Sequence, residues 1–146
     1  MSYLFIVSSY LIGSINFAYL VAKYKKLDIS SSGSGNPGTS NVMRTIGKKY
    51  AAFVLIGDVL KGFLPILLFS ENILICGFAA VIGHIYPIFY KFKGGKGVAT
   101  YIGVYIAFST LNPISYDLFE NSYFLFLNIP VLVAFYFVVF KISRIS

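Results

Sequence analysis

Residues 30–44 of this chain, S-S-S-G-S-G-N-P-G-T-S-N-V-M-R, decide how the rest of the sequence is interpreted. The stretch is small, polar and rich in glycine, whereas most of the chain is hydrophobic enough for a membrane. Glycine adopts positive φ at little cost, so the backbone N–H groups of such a loop can converge on one point and form a nest for an anion. We therefore expect this stretch to bind an anion, with Arg44 as a further partner for a phosphate oxygen, and not to pack a core or cross a bilayer.

The composition indicates an integral membrane protein. Of 146 residues, 58% are hydrophobic and 12% are charged, and this charged share is about half that of a soluble domain. A soluble fold would have to bury several long apolar runs in one small core, which the ratio of surface to volume argues against. We predict a single transmembrane domain over residues 1–146. The lone cysteine, Cys76, lies in an apolar run and is expected to be a buried, unreactive thiol.

Apolar runs of membrane-spanning length recur along the chain. They predict an all-α integral membrane protein with about five transmembrane helices. The first run has no basic segment before it and no cleavage site of small residues after it, so we expect a retained helix and not a signal peptide. The predicted spans are Tyr3 to Ala22, Tyr50 to about Ser70, Ile73 to Tyr90, roughly Val98 to Tyr116, and Tyr123 to Phe140.

Basic and acidic turns alternate between these spans. Eleven of the twelve Lys and Arg residues lie in the first loop, in residues 91–96 and in the C-terminal tail, whereas the other two turns carry only acidic charge. The positive-inside rule then predicts an N-terminus outside and both glycine-rich loops in the cytoplasm. We expect a multi-pass protein of the cell membrane whose active site faces the cytoplasm. The net charge of +7 is mostly an orientation signal, aided by anionic membrane lipid, and not a sign of nucleic-acid binding.

Two charged residues lie inside the second predicted span. Asp58 and Lys61 are three positions apart, which places them on one face of a helix. Charges at membrane depth are costly and usually face the bundle interior, either paired or at a functional site. We favour a structural ion pair, with a catalytic role as the alternative. The only histidine, His84, has two interpretations: a packing side chain bonded to a carbonyl, or a ligand for phosphate or hydroxyl near the cytoplasmic end of the third span.

A second polar stretch, K-F-K-G-G-K-G at residues 91–97, follows the third predicted span. A basic turn on the cytoplasmic side would account for its lysines but not for its three glycines, which would let a phosphate group approach the backbone closely. We consider a second anion site here, with the basic turn as the alternative. For residues 30–44 the alternative is a flexible linker, against which Asn36, Pro37, Asn41 and Arg44 are specific choices.

Familiar nucleotide-binding and catalytic motifs do not fit the sequence. Residues 33–38 match G-x-G-x-x-G, but a membrane span precedes them and no βαβ unit surrounds them. Lys96 is followed by Gly97 instead of Ser or Thr, which excludes a Walker A loop. No serine–histidine–aspartate arrangement is present, and one histidine with one cysteine does not make a metal cluster. We expect no metal and no cofactor.

Taken together, the motifs resemble those of the bacterial membrane acyl-phosphate–glycerol-3-phosphate acyltransferases, the PlsY family. The matching blocks follow one another in order over roughly the first hundred residues, so the resemblance is specific. They are G-S-I at residues 13–15, S-G-S-G-N-P-G at 32–38, T-S-N-V-M-R at 39–44, D-V-L-K-G at 58–62, G-H-I-Y-P at 83–87 and F-K-G-G-K-G-V-A-T at 92–100.

The resemblance implies transfer of an acyl chain from acyl phosphate to the 1-hydroxyl of sn-glycerol 3-phosphate, which yields 1-acylglycerol 3-phosphate and phosphate in phospholipid biosynthesis. The first loop would cradle the acyl-phosphate head group, and Arg44 with Lys96 would hold glycerol 3-phosphate. An acyl phosphate is already activated, so proximity and charge stabilisation would suffice without a protein nucleophile. The implied catalytic residues are Ser34, Asn36, Arg44 and Lys96, and the implied substrate-binding residues are Gly35, Gly38, Thr39, Ser40, Asn41, His84, Lys93, Gly94, Gly95 and Gly97.

The C-terminal part departs from the family pattern. Family members are typically longer by about two spans, and their last helix carries a His and an Asn shortly before an Arg. Arg144 corresponds to that Arg, but Lys141 stands where the Asn would fall and no His is present. We expect a shortened enzyme. The alternatives are an inactive homologue and a non-enzymatic membrane protein that binds or transports phosphate compounds, and a partner chain that replaces the missing spans is left open.

Overall fold

A computed structural model describes residues 2–69 and 71–111 of the chain. Within these ranges the structure is helical and contains no strand, in agreement with the predicted all-α class. Residues 1–107 group into one compact unit, which is described by itself. The helices are α1 (Ser2–Ser14), α2 (Phe17–Tyr24), α3 (Thr39–Thr45), α4 (Lys48–Leu68), α5 (Ile73–Ile85) and α6 (Val98–Leu111), with a short 3₁₀ helix at Ile88–Tyr90 between α5 and α6.

Three segments of the described residues are long and apolar enough to cross a membrane: Tyr3–Tyr24, Lys48–Leu68 and Ile73–Tyr90. They match the first three predicted spans. The fourth predicted span begins at Val98 as expected and is described only to Leu111, while the fifth lies outside the described residues, as does the C-terminal tail. The count of five spans therefore stays a prediction.

The outer faces of these helices carry large apolar side chains. A soluble monomer rarely exposes apolar patches of this extent, whereas lipid-facing helices require them. The exposure supports the membrane class derived from composition. Such side chains include Leu4, Val7, Phe53, Ile56, Leu60, Leu67, Phe78 and Ile82.

The first span is broken between α1 and α2, where one continuous helix was predicted. Asn16 has extended backbone angles and caps α2, because its Oδ1 accepts a hydrogen bond from the Tyr19 N–H at 3.1 Å. In a continuous helix that N–H would donate to the Ile15 carbonyl. The short amide side chain of asparagine competes with the backbone in this way, and it ends one helix while starting another.

Helices α1 and α5 approach closely through glycine. A Cβ at Gly13 would collide with the backbone of Ala80, and one at Gly83 would collide with the Tyr10 carbonyl. Both contacts are with backbone atoms, which cannot rotate away. Small residues thus let the two helices pack backbone to backbone, as membrane helices commonly do.

Helix α6 packs against α4 in the same manner. A Cβ at Gly62 would collide with the Thr100 carbonyl, and one at Gly103 would collide with the Val59 carbonyl. Because Thr100 lies in the first turn of α6, this packing fixes where α6 begins and hence where the preceding loop ends.

Part of the first loop belongs to the core, contrary to expectation. Ile29 and Val42 are fully buried and cluster with Ala18 and Val54. Val42 lies in α3, a seven-residue helix that the polar composition did not indicate. The prediction that residues 30–44 pack no core was wrong, because α3 turns its one β-branched apolar residue inward.

Candidate functional site

Asn41 shapes the first glycine-rich loop. This side chain is 2% exposed, and its Oδ1 accepts the Ser34 N–H at 3.0 Å. Its Nδ2 donates to the Ser32 carbonyl at 2.9 Å and to the Ile29 carbonyl at 3.3 Å. Gly33 packs against the same Oδ1 with φ of +59°, a conformation that favours glycine. The loop is therefore an ordered structure built around a buried amide, which argues against the flexible-linker alternative.

The start of the loop is held by Asp28. Its carboxylate accepts hydrogen bonds from the Ser30 hydroxyl at 2.6 Å and from the Ser30 N–H at 3.0 Å. The Ser30 hydroxyl, followed by its N–H, keeps the pKa of Asp28 below the usual range. The carboxylate stays ionised at neutral pH and fixes the turn that leads into the first glycine-rich loop.

The far end of the loop returns to the break in the first span. Asn16 Nδ2 donates to the Pro37 carbonyl at 3.4 Å, and both residues are buried. With a rise of 1.5 Å per residue, Asn16 lies about 12 Å along the helix from Tyr24. The loop thus re-enters the body of the protein, where irregular backbone is tolerated because protein groups satisfy it.

The second loop folds back on the end of α5. The Gly94 N–H donates to the Ile85 carbonyl at 3.1 Å, and the Gly95 N–H donates to the His84 carbonyl at 3.2 Å. A Cβ at Gly94 would collide with the His84 carbonyl, so this approach requires glycine. The basic-turn alternative does not account for such packing. Gly97 then takes φ of +79° immediately before α6 begins at Val98.

A buried polar cluster of Asp58, Lys61 and His84 lies beneath the two loops. The Lys61 Nζ is 3.0 Å from the Asp58 Oδ1, and both side chains are 3% exposed, which confirms the predicted ion pair. Lys61 also donates to the Ile15 carbonyl at 2.7 Å. The His84 Nδ1 lies 3.6 Å from the Asp58 Oδ1, which is too long for a hydrogen bond. The ion pair of Asp58 and Lys61 is therefore enclosed by protein groups, among them the Ile15 carbonyl.

The two loops meet at Gly95. A Cβ placed there would lie 3.1 Å from the Pro37 carbonyl and would collide with the His84 Nε2. Two stretches that are nearly sixty residues apart in the sequence are therefore neighbours in space.

The predicted site residues differ in their accessibility. Those in the exposed class can meet a soluble ligand, whereas those in the buried class shape the loops. Exposed are Ser34, Ser40, Arg44 and Lys93; half-buried are Gly35, Asn36, Gly38, Thr39, Gly94 and Lys96; buried are Asn41, His84, Gly95 and Gly97. The individual roles of these residues toward a substrate stay predictions.

An apolar cavity of about 390 Å³ lies between α2 and α4. Its lining includes Lys49 and Phe17, and Phe17 directly follows the Asn16 that holds the first loop. The remaining lining residues are Leu20, Val21, Tyr24, Tyr50 and Phe53.

The chemistry that this arrangement can perform is anion binding and orientation. Arg44 in α3 and Lys96 in the second loop supply the cations. The N–H groups of Gly35, Gly38, Gly94 and Gly95, by contrast, donate to protein carbonyls. Among the described residues no group of His, Cys, Asp and Glu could hold a metal ion.

Sequence reasoning missed Asn16 as a residue of the site. The preference of asparagine for the position before a helix would have indicated a break there. Its partner Pro37, 21 positions away, could not have been identified in that way.

A family model described as glycerol-3-phosphate acyltransferase matches residues 3–146. A protein named glycerol-3-phosphate acyltransferase from Aquifex aeolicus is 47% identical over 111 residues, which cover 71% of this chain and 58% of the relative. One of the same name from Photobacterium profundum is 50% identical over 122 residues, 79% of this chain and 57% of the relative. The chain thus spans somewhat more than half the length of these curated relatives.

Two crystal structures are also similar. Both are of PlsY (YgiH), described as an integral membrane glycerol 3-phosphate acyltransferase, one in its glycerol 3-phosphate form and one in its lysophosphatidic acid form. They are 42% identical to this chain, with TM-scores of 0.68 and 0.66, and the match covers 85% of this chain and 64% of theirs.

Proposed function

Since the chain belongs to the glycerol-3-phosphate acyltransferase family, we propose that it transfers an acyl chain from acyl phosphate to the 1-hydroxyl of sn-glycerol 3-phosphate. The hydroxyl oxygen attacks the acyl carbon, the bond from that carbon to the phosphate oxygen breaks, and the hydroxyl proton leaves with the released phosphate. The products are 1-acylglycerol 3-phosphate and inorganic phosphate. No protein nucleophile and no cofactor is needed, because the donor is already activated.

The observation that carries this proposal is the meeting of the two loops at Gly95. Two phosphate-bearing substrates must lie side by side for acyl transfer, and proximity alone can supply much of the acceleration. The first loop, with Ser34 and Asn36, binds the acyl-phosphate head group, and Arg44 with Lys96 binds glycerol 3-phosphate and neutralises the departing phosphate. The remaining ligands are the side chains of Thr39, Ser40 and Lys93. Gly35, Gly38 and Gly94, whose N–H groups donate to protein carbonyls, and the buried Gly97 shape the loops.

The orientation in the membrane follows from charge. The N-terminus lies outside and both loops face the cytoplasm, where glycerol 3-phosphate is soluble and anionic. The acyl chain of the donor is apolar and is accommodated among the helices. The cavity between α2 and α4 offers such an environment, and its lining residue Phe17 follows the Asn16 that contacts the first loop.

The test uses the purified chain in detergent or lipid with labelled glycerol 3-phosphate. Palmitoyl phosphate and palmitoyl-CoA are offered separately, and lysophosphatidic acid and free phosphate are counted. We expect product from the acyl phosphate alone. Product from palmitoyl-CoA alone would contradict the donor, and folded protein that binds glycerol 3-phosphate without making product from either donor would identify an inactive homologue.

A further inference from the structure

The side chain of His84 lies behind the substrate loops and not on their open face. It is 3% exposed, which leaves no surface for a soluble ligand. One ring nitrogen, Nδ1, faces the Asp58 carboxylate at 3.6 Å, and the other, Nε2, lies against Gly95. The imidazole therefore fills the space between a buried carboxylate and the second loop.

His84 is one member of a closed circuit of contacts. Asp58 pairs with Lys61, whose Nζ donates to the Ile15 carbonyl. The adjacent Asn16 donates to the Pro37 carbonyl. Pro37 in turn faces Gly95, against which the imidazole packs, so the circuit passes through the break in the first span, α4, α5 and both loops.

We infer that His84 is a positioning residue that sets the separation of the two loops, and hence of the two substrates, without contacting either substrate. The inference rests on the proposed function. A rigid group behind a loop fixes the backbone in front of it, and a displacement of about 1 Å in such a site can cost about a hundredfold in rate. Gly95 is the point at which the ring acts, because a Cβ placed there would meet both the His84 Nε2 and the Pro37 carbonyl.

A double-mutant cycle tests this contact. Gly95→Ala places a methyl group on the His84 Nε2 and pushes the loop outward, so we expect kcat/KM for glycerol 3-phosphate to fall by about tenfold to a hundredfold, mostly through KM. His84→Ala opens space behind the loop and lowers kcat/KM by a smaller factor. In the double variant the methyl group occupies the vacated space, and the loss is at least about fivefold smaller than the product of the two single losses.

Gly94→Ala is the matched control. Its methyl group would collide with the carbonyl of His84 and lie 2.5 Å from the Pro87 Cδ, and both atoms persist when the imidazole is removed. We therefore expect the losses of Gly94→Ala and His84→Ala to multiply. The combined loss in kcat/KM should be smaller than the product of the single losses for Gly95→Ala with His84→Ala, but not for Gly94→Ala with His84→Ala. This difference identifies the imidazole as the group that positions the loop.

Folding is monitored through Cys76, the only cysteine, which is buried and so reacts with a maleimide only on unfolding. If His84→Ala does not fold, His84→Asn replaces it in the cycle, because the amide keeps a polar nitrogen near Asp58 and still frees the space beside Gly95. A merely structural histidine would lower the amount of folded enzyme and leave KM unchanged.

The outcomes are distinct. If the folded wild-type chain makes no product from acyl phosphate, the proposed function fails. If the wild type is active and the losses of the Gly95 pair simply multiply in folded protein, the positioning role of His84 is overturned.

Discussion

The Nζ of Lys61 donates a hydrogen bond of 2.7 Å to the carbonyl oxygen of Ile15, 46 residues away. That carbonyl would accept from the Tyr19 N–H in an unbroken helix, but Tyr19 donates to the Asn16 side chain instead. A charge on α4 thus satisfies the carbonyl that the break leaves without its helical partner. The break allows Asn16 to hold the first loop at Pro37. The ion pair of Asp58 and Lys61 stabilises this break and thereby the position of the first loop.

Removal of one member of this pair should destabilise the protein strongly. Lys61→Met leaves the Asp58 carboxylate buried without a counter-charge and the Ile15 carbonyl without a donor, and we expect a loss of about 3–5 kcal/mol. The double variant Asp58→Asn with Lys61→Met removes both charges and should lose less than Lys61→Met alone. Denaturant titration, monitored by labelling of Cys76, measures the stability of the single and the double variant. Equal stability of the single and the double variant would contradict a stabilising role for charge pairing.

Asn41 should tolerate no substitution that removes the hydrogen-bond donor at its Nδ2. Asn41→Asp keeps the shape but places a carboxylate oxygen against the carbonyls of Ile29 and Ser32, where Nδ2 now donates. Stability should fall by about 1–3 kcal/mol for the groups left unpaired, and the proposed transferase activity should be lost with the loop geometry. Ser40→Ala, an exposed neighbour in α3, is the control for stability and should fold like the wild type. Wild-type activity in Asn41→Asp would show that the amide does not shape the site.

Arg44 and Lys96 should matter for turnover and not for folding. Arg44 is exposed and Lys96 half-buried, and neither forms a salt bridge among the described residues. Alanine at either position should lower kcat/KM by about a hundredfold, as removal of one charge-stabilising group typically does. Arg44→Lys should not restore full activity, because lysine lacks the two-pronged geometry that suits phosphate. Lys48→Ala, at the start of α4, is the control, and full activity in both alanine variants would overturn the site assignment.

Two glycines that face α6 should differ in their tolerance of alanine. The methyl group of Gly62→Ala meets the backbone carbonyl of Thr100, which cannot move without shifting α6. That of Gly77→Ala meets a methyl group of Val104 at 2.7 Å, which belongs to a side chain and so yields more easily than a backbone carbonyl. We expect Gly62→Ala to lower both stability and turnover, because α6 carries the end of the second loop, and Gly77→Ala to have a smaller effect on stability alone. A thermal unfolding series with initial rates compares them, and a reversed order would contradict this packing.

The membrane class, the first three spans and the two glycine-rich loops could be predicted because each depends on local composition or length. Apolar runs of about 20 residues and polar stretches between them are visible without knowing what they contact. The spacing of Asp58 and Lys61 likewise indicated their pairing, since three residues bring side chains to one helix face. The motif blocks were specific enough to indicate the family, which the match over residues 3–146 confirms.

The residues alone therefore indicated the helical membrane class, the position of the two loops, the ion pair and the family. The packed chain was needed to show that Asn16 reaches Pro37, that Asn41 faces inward to build a loop, and that Lys61, His84 and Gly95 connect the break at Asn16 to both loops. Most of these contacts join groups 21 to 58 residues apart, and the orientation of Asn41 depends on which face of a short helix is buried. A local pattern shows that a polar group needs a partner, and only the packed chain selects that partner.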